Sequence, residues 1–124
     1  MANRAIIGLE TYDEALQRSL AVARRFDAGE PVPEGDYRLN FESAAQLFAE
    51  LTTKRMQTLE TLKAGGPQSI YQLAKRLGRN YSNVHADVSR LMEHGLVEKN
   101  DEGRVFVPWD QVEIHLTLGS KAAA

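Results

Sequence analysis

Ser69-Ile70-Tyr71-Gln72-Leu73-Ala74-Lys75-Arg76-Leu77-Gly78-Arg79-Asn80-Tyr81-Ser82-Asn83-Val84-His85-Ala86-Asp87-Val88-Ser89-Arg90-Leu91-Met92-Glu93-His94-Gly95 is the stretch on which the fold turns. Two apolar sets recur here at spacings of three and four, Ile70-Leu73-Ala74-Leu77 and Val84-Val88-Leu91-Met92, so two short amphipathic helices are expected. Ser69 supplies an N-cap for the first. Gly78 stops it, Gly95 stops the second, and only Gly78-Arg79-Asn80 lies between them. Two helices joined by so short a glycine-containing turn form a helix-turn-helix unit.

The flanks extend the pattern. Upstream, Ser43 caps a helix bearing Ala44, Leu47, Phe48 and Leu51. Thr52 or Thr53 caps another with Met56, Leu59 and Leu62, ended by Gly65-Gly66-Pro67. Downstream, Leu96 to Lys99 and Arg104 to Val107 read as strands around an Asn100-Asp101-Glu102-Gly103 turn, a hairpin. Helix, short helix, turn, helix and hairpin in that order give a winged helix-turn-helix domain, mainly α with a small β-sheet.

Tyr37 to Phe41 and Val112 to Leu118 alternate apolar and polar residues. They are expected to pair, with Leu39, Phe41, Ile114 and Leu116 on one buried face. The domain is therefore set at residues 37–118, with a tail at 119–124. Residues 1–36 are read as an N-terminal helical arm and linker. Thr11 and Glu14 form a capping box, the helix runs from Tyr12 to about Phe26, and the Ala28 to Asp36 stretch, with Gly29, Pro31, Pro33 and Gly35, is the linker. The arm's stripe of Tyr12, Leu16, Leu20 and Phe26 is assigned to a dimer or partner contact.

The wheel of the second helix decides which side chains can meet a duplex. Val84, Val88, Leu91 and Met92 take the core side, leaving Ser82, Asn83, His85, Ala86, Ser89 and Arg90 outward. An α-helix fits the major groove, where Asn pairs with adenine, Arg with guanine and Ala meets a thymine methyl. Lys75, Arg76 and Arg79 are placed for phosphates, Ser69 and the amides it caps for another, and Arg104 with Lys99 for contacts from the wing. The acids Asp101 and Glu102 at the wing tip oppose a phosphate contact there.

Net charge is −2, but it is unevenly distributed. Residues 1–42 hold five Lys/Arg against eight Asp/Glu, and residues 63–94 hold five against two. The positive stretch is the helix-turn-helix. There is no cysteine, which excludes disulfides, thiolate metal sites and cysteine nucleophiles. His85 and His94 are nine residues apart, about 180° around one helix, and cannot chelate together. No nucleophile elbow, phosphate loop or dinucleotide fingerprint is present, and the carboxylate pairs Asp13/Glu14 and Asp101/Glu102 are sequence neighbours. The expectation is a non-enzyme with no metal and no cofactor. The apolar run Ala5 to Leu9 is too short for a signal-peptide core, so a soluble cytoplasmic protein is expected.

Ser43 to Leu118 also resembles the MarR-like winged-helix transcriptional regulators of bacteria and archaea. The resemblance is carried by Leu51 to Met56, Ser69 to Arg79, Asn83 to Val88, Leu91 to Val97, and the Pro108-Trp109-Asp110 and Val112-Glu113-Ile114 stretch. It implies sequence-specific binding of double-stranded DNA, usually as a homodimer, with autorepression. Some members resemble antitoxins encoded beside a toxin. The alternative function is therefore a protein-interaction module that neutralises a cognate toxin through the N-terminal arm.

Overall fold

The computed structural model describes residues 3–31 and 35–119. In chain order the elements are β1 (Arg4–Leu9), α1 (Tyr12–Asp27), β2 (Tyr37–Phe41), α2 (Ala44–Glu50), α3 (Thr53–Gly65), α4 (Ile70–Leu77), α5 (Tyr81–Glu93), β3 (Glu98–Lys99), β4 (Val105–Phe106) and β5 (Gln111–Ile114). They fall into two compact units, one of residues 50–110 and one of residues 1–49 with 111–124. This division places β1, α1, β2 and β5 in one unit, whereas the sequence suggested an arm followed by a domain.

The unit of residues 50–110 has the expected winged-helix order. Thr52 caps α3, its side chain accepting from the Arg55 amide. Ser69 and Gln72 close a capping box on α4, and the Asn80 carboxamide accepts from the Ser82 amide to start α5. The three helices pack on one another and α3 also packs on β4. Leu59, Leu62, Leu73, Val84, Val88 and Leu91 are buried, as are Leu96, Val97 and Val105 beyond α5. Each such side chain contributes about 1.5–3 kcal/mol by leaving water. β3 and β4 pair antiparallel as the wing, and the Val105 amide and carbonyl also bond the Gln68 backbone, tying the wing to the segment that enters α4.

The other unit departs from the sequence reading. Its sheet is parallel and three-stranded, in the order β2-β1-β5. The apolar run at residues 5–9, noted in the sequence only as too short for a signal-peptide core, is the body of β1, the central strand. The expected pairing of residues 37–41 with residues 112–118 is corrected accordingly. β1 lies between them, with Ile7 opposite Leu39 on one side and Ile114 on the other. A central strand of a parallel sheet is covered on both faces and so reads as an unbroken apolar run instead of an alternating one. Ala5, Ile6, Ile7 and Gly8 are all buried. β5 stops at Ile114, because β1 ends and turns into α1 beyond Leu9; the last bond is from the His115 amide to the Ile7 carbonyl, 2.8 Å. Leu116 and Leu118 are exposed.

Arg4 fastens this sheet. Its guanidinium donates to Asp36 at 2.7 Å and to Glu113 at 2.9 Å, joining the entry to β2 with β5 across β1. The N-terminal segment is thus not only a helical arm. It supplies a strand and, through α1, the connection from β1 to β2. The Thr11–Glu14 capping box of α1 is present. Among the described residues, no helix is long and apolar enough to cross a membrane.

Candidate nucleic-acid interface

α4 and α5 meet at Gly78, whose backbone is left-handed (φ 62°, ψ 35°), a conformation glycine adopts without steric cost. Its amide caps the end of α4 through the carbonyls of Ala74 and Lys75. Two residues later Asn80 starts α5. Val84, Val88 and Leu91 then pin α5 to the core. Ser82, Asn83, His85 and Ala86 are exposed and Ser89 is half-buried. The outward face of α5 is short, polar and uncharged over its first two turns.

The arginines expected beside that face are engaged elsewhere. Arg79 donates to Asp87 at 2.8 Å and to the Thr58 hydroxyl at 3.1 Å, and its side chain is only 17% exposed. Asp87 is held from its other oxygen by Arg55 at 3.2 Å. Arg55 also donates to the Glu50 carbonyl at 2.8 Å. Arg90 donates to Glu50 at 2.8 Å and to Glu93 at 2.7 Å, and His94 lies 3.1 Å from Glu50. The result is a continuous ionic chain from the α4–α5 turn through α3 to the far end of α5. Hydrogen bonds from Arg90 and then His94 hold the Glu50 carboxyl down to about 2.

Two of the five cations in residues 63–94 are therefore neutralised within the fold. Lys75 and Arg76 remain exposed on α4. The Lys75 ammonium sits 5.5 Å from the ring centre of exposed Tyr71, and the Arg76 guanidinium lies over Gly65. On the wing, Lys99 and Arg104 are exposed, with Arg104 3.8 Å from Glu102. The Ser69 hydroxyl accepts from the Gln72 amide at 3.1 Å, so it serves the cap. Tyr81 is also exposed, its ring 5.9 Å from that of His85.

Sequence reasoning overlooked Glu50, Arg55, Thr58 and Asp87, the partners that decide what Arg79 and Arg90 can do. The one local signal was an acid, Asp87, inside an otherwise basic stretch, eight residues from Arg79. Among the described residues, no group of His, Asp and Glu could hold a metal ion. In the other unit, Tyr12, Leu16, Leu20 and Phe26 all lie exposed on α1, with Val22 beside them. The carboxyl ends of its strands open onto a cleft bearing Glu10, Arg38, Asn40, Glu42 and His115.

Compared with known proteins, the chain matches the family model described as HVO_A0114 over residues 50–114, just over half its length. Among solved structures it is similar to a MarR-like transcriptional regulator from Thermotoga maritima. That similarity has 19% identity and a TM-score of 0.42, and covers 79% of this chain. The chain spans 65% of the length of that protein. No curated protein matches it.

Proposed function

This chain belongs to the HVO_A0114 family, and from that premise and the geometry of α4 and α5 we propose that it binds double-stranded DNA as a sequence-specific transcriptional regulator. One observation carries the reading: α5 is pinned by three buried side chains on one side and presents Ser82, Asn83, His85 and Ala86 to solvent on the other. That face is narrow enough for a major groove and carries hydrogen-bonding groups without a carboxylate. Asn83 is the base reader, with Ser82 and His85 beside it. Lys75 and Arg76 on α4 meet phosphates, and Lys99 and Arg104 add contacts from the wing. Arg79 and Arg90 are positioning residues, since their guanidinium groups are occupied by Asp87 and Glu50.

Few free cations on the reading side imply a shallow dependence on salt. Each phosphate contact contributes about 0.9 to the slope of log affinity against log salt. Four contacts from Lys75, Arg76, Lys99 and Arg104 would give a slope of about −3.6. The experiment is selection from a random duplex pool at about 50 mM salt, followed by anisotropy titrations on selected and scrambled duplexes. Enrichment of one motif, lost in Asn83→Ala, supports the reading. Retention of no duplex at that salt overturns it.

A further inference from the structure

One face of the parallel sheet is polar and walls a cleft. Alternate residues line it, Ile6 and Gly8 from β1 with Arg38 and Asn40 from β2, and the turn from β1 into α1 closes one end. Its volume is about 700 Å³, within the range of about 300–1,000 Å³ for small-molecule sites. It lies at the carboxyl ends of β1 and β2, where open parallel sheets take their ligands. Gly8 sets the floor. Because it has no side chain, the Asn40 carboxamide lies beside it across the ladder, with Oδ1 3.4 Å from where a Cβ would stand.

Charge decides what fits. Most charged groups of the cleft are used within the fold. Glu10 receives Arg18 on both carboxylate oxygens, at 2.9 and 3.0 Å. Glu14 accepts from the Thr11 amide in the capping box of α1, and His115 lies 2.9 Å from Glu113. Two groups are left over, the Arg38 guanidinium and the Glu42 carboxylate, neither of which has an ion pair or side-chain hydrogen bond among the described residues. They are opposite in charge, both exposed, and stand on one face of the same chain segment with Asn40 between them. Four residues of strand put them about 13 Å apart at the backbone, and they do not pair with each other.

We propose that this cleft binds a short peptide with free ends, its carboxylate on Arg38 and its ammonium on Glu42, lying antiparallel to β2. An extended tripeptide measures about 10 Å, and the two side chains supply the rest of the span. The guanidinium matches a carboxylate with two parallel hydrogen bonds. Asn40, both donor and acceptor, faces the peptide groups in the middle. The same surroundings reject other ligands. A helix N-terminus beside a parallel sheet ordinarily favours phosphate, but at α1 the Glu14 carboxylate takes that place, with Glu10 and Glu42 nearby. A single amino acid holds its two charges too close together to reach both residues.

Trialanine is the probe, titrated into the full-length chain by isothermal calorimetry. It should saturate the protein below about 10 mM. Acetylating its amino end or amidating its carboxyl end should each weaken binding about ten-fold. Arg38→Gln should weaken trialanine by the same factor while leaving the amidated peptide unaffected, and Glu42→Gln should weaken trialanine while sparing the acetylated one. Both positions are exposed, so circular dichroism should show both variants folded. Trialanine that fails to saturate by about 10 mM overturns the proposal. So does an amidated peptide that binds as well as trialanine, an equal loss of both peptides in Arg38→Gln, or inorganic phosphate that binds more tightly than trialanine.

Discussion

α1 and α5 are both capped, amphipathic helices, of 16 and 13 residues, and they meet opposite fates. α5 buries its apolar stripe against α3 and α4, its Asp87 is held by Arg55 and Arg79, and its Arg90 by Glu50. α1 buries nothing, and its two aromatics are 72% and 75% exposed. An apolar stripe states that something must cover it, since leaving such a face in water forfeits the burial that stabilises a helix. What covers it is a separate matter. For α5 the cover is the chain itself, which frees the other face for a ligand. For α1 the apolar face is itself the exposed one.

The sharpest way to break that contrast is truncation of one stripe residue on each helix. Leu91→Ala should lower the unfolding free energy by about 2–5 kcal/mol through the cavity it leaves. Leu20→Ala, on an exposed face, should change it by less than about 0.5 kcal/mol. Urea melts of both decide it, and equal losses would mean that α1 is packed after all.

Next in size is the ionic chain. Asp87→Ala leaves Arg55 and Arg79 without their shared acceptor, and should cost about 1–3 kcal/mol. It should also weaken binding to a selected duplex. Removing an anion from a DNA-binding face otherwise strengthens binding, so a gain in affinity would show that Asp87 does not position α5. Asn83→Ala should cost about 1–3 kcal/mol of discrimination between selected and scrambled duplexes while leaving the melting temperature unchanged. Equal losses on both would mean that it touches backbone or nothing.

The smallest effect is in acid. The Glu50 carboxyl is held at about 2 in the fold against 4.5 for the free group. A depressed carboxylate adds stability that is fully present above about pH 4.5 and disappears as the pH falls towards 2. Glu50→Gln should therefore be less stable than wild type at pH 6, with the gap narrowing steadily below pH 4.5. A gap that stays constant down to pH 2.5 would show that Glu50 acts through shape alone.

Much of the winged helix was legible because its signals are local. Ser69 and Gln72 close a box within three residues, Asn80 caps two residues on, and Gly78 ends a helix by its own backbone freedom. The site was less legible. The outward set Ser82, Asn83, His85 and Ala86 follows from the wheel, but Arg79 and Arg90 looked equally available. Nothing near Arg90 in sequence says that Glu50, 40 residues earlier, holds it.

Sequence alone determined the helices, their caps, the hairpin and which face of each helix is apolar. Helical hydrogen bonds and caps close within about four residues, so the chain carries both partners of each in one short stretch. Tertiary structure alone decided that residues 4–9 form the middle strand of a parallel sheet, that two arginines are neutralised, and that the stripe of α1 is left open. Each of these depends on partners far along the chain: Tyr37 lies 32 residues from Ala5, Glu50 lies 40 from Arg90, and Glu113 lies 109 from Arg4. Parallel strands need a long crossover between them, and an ion pair has no fixed spacing, so neither leaves a periodic mark to be read in advance.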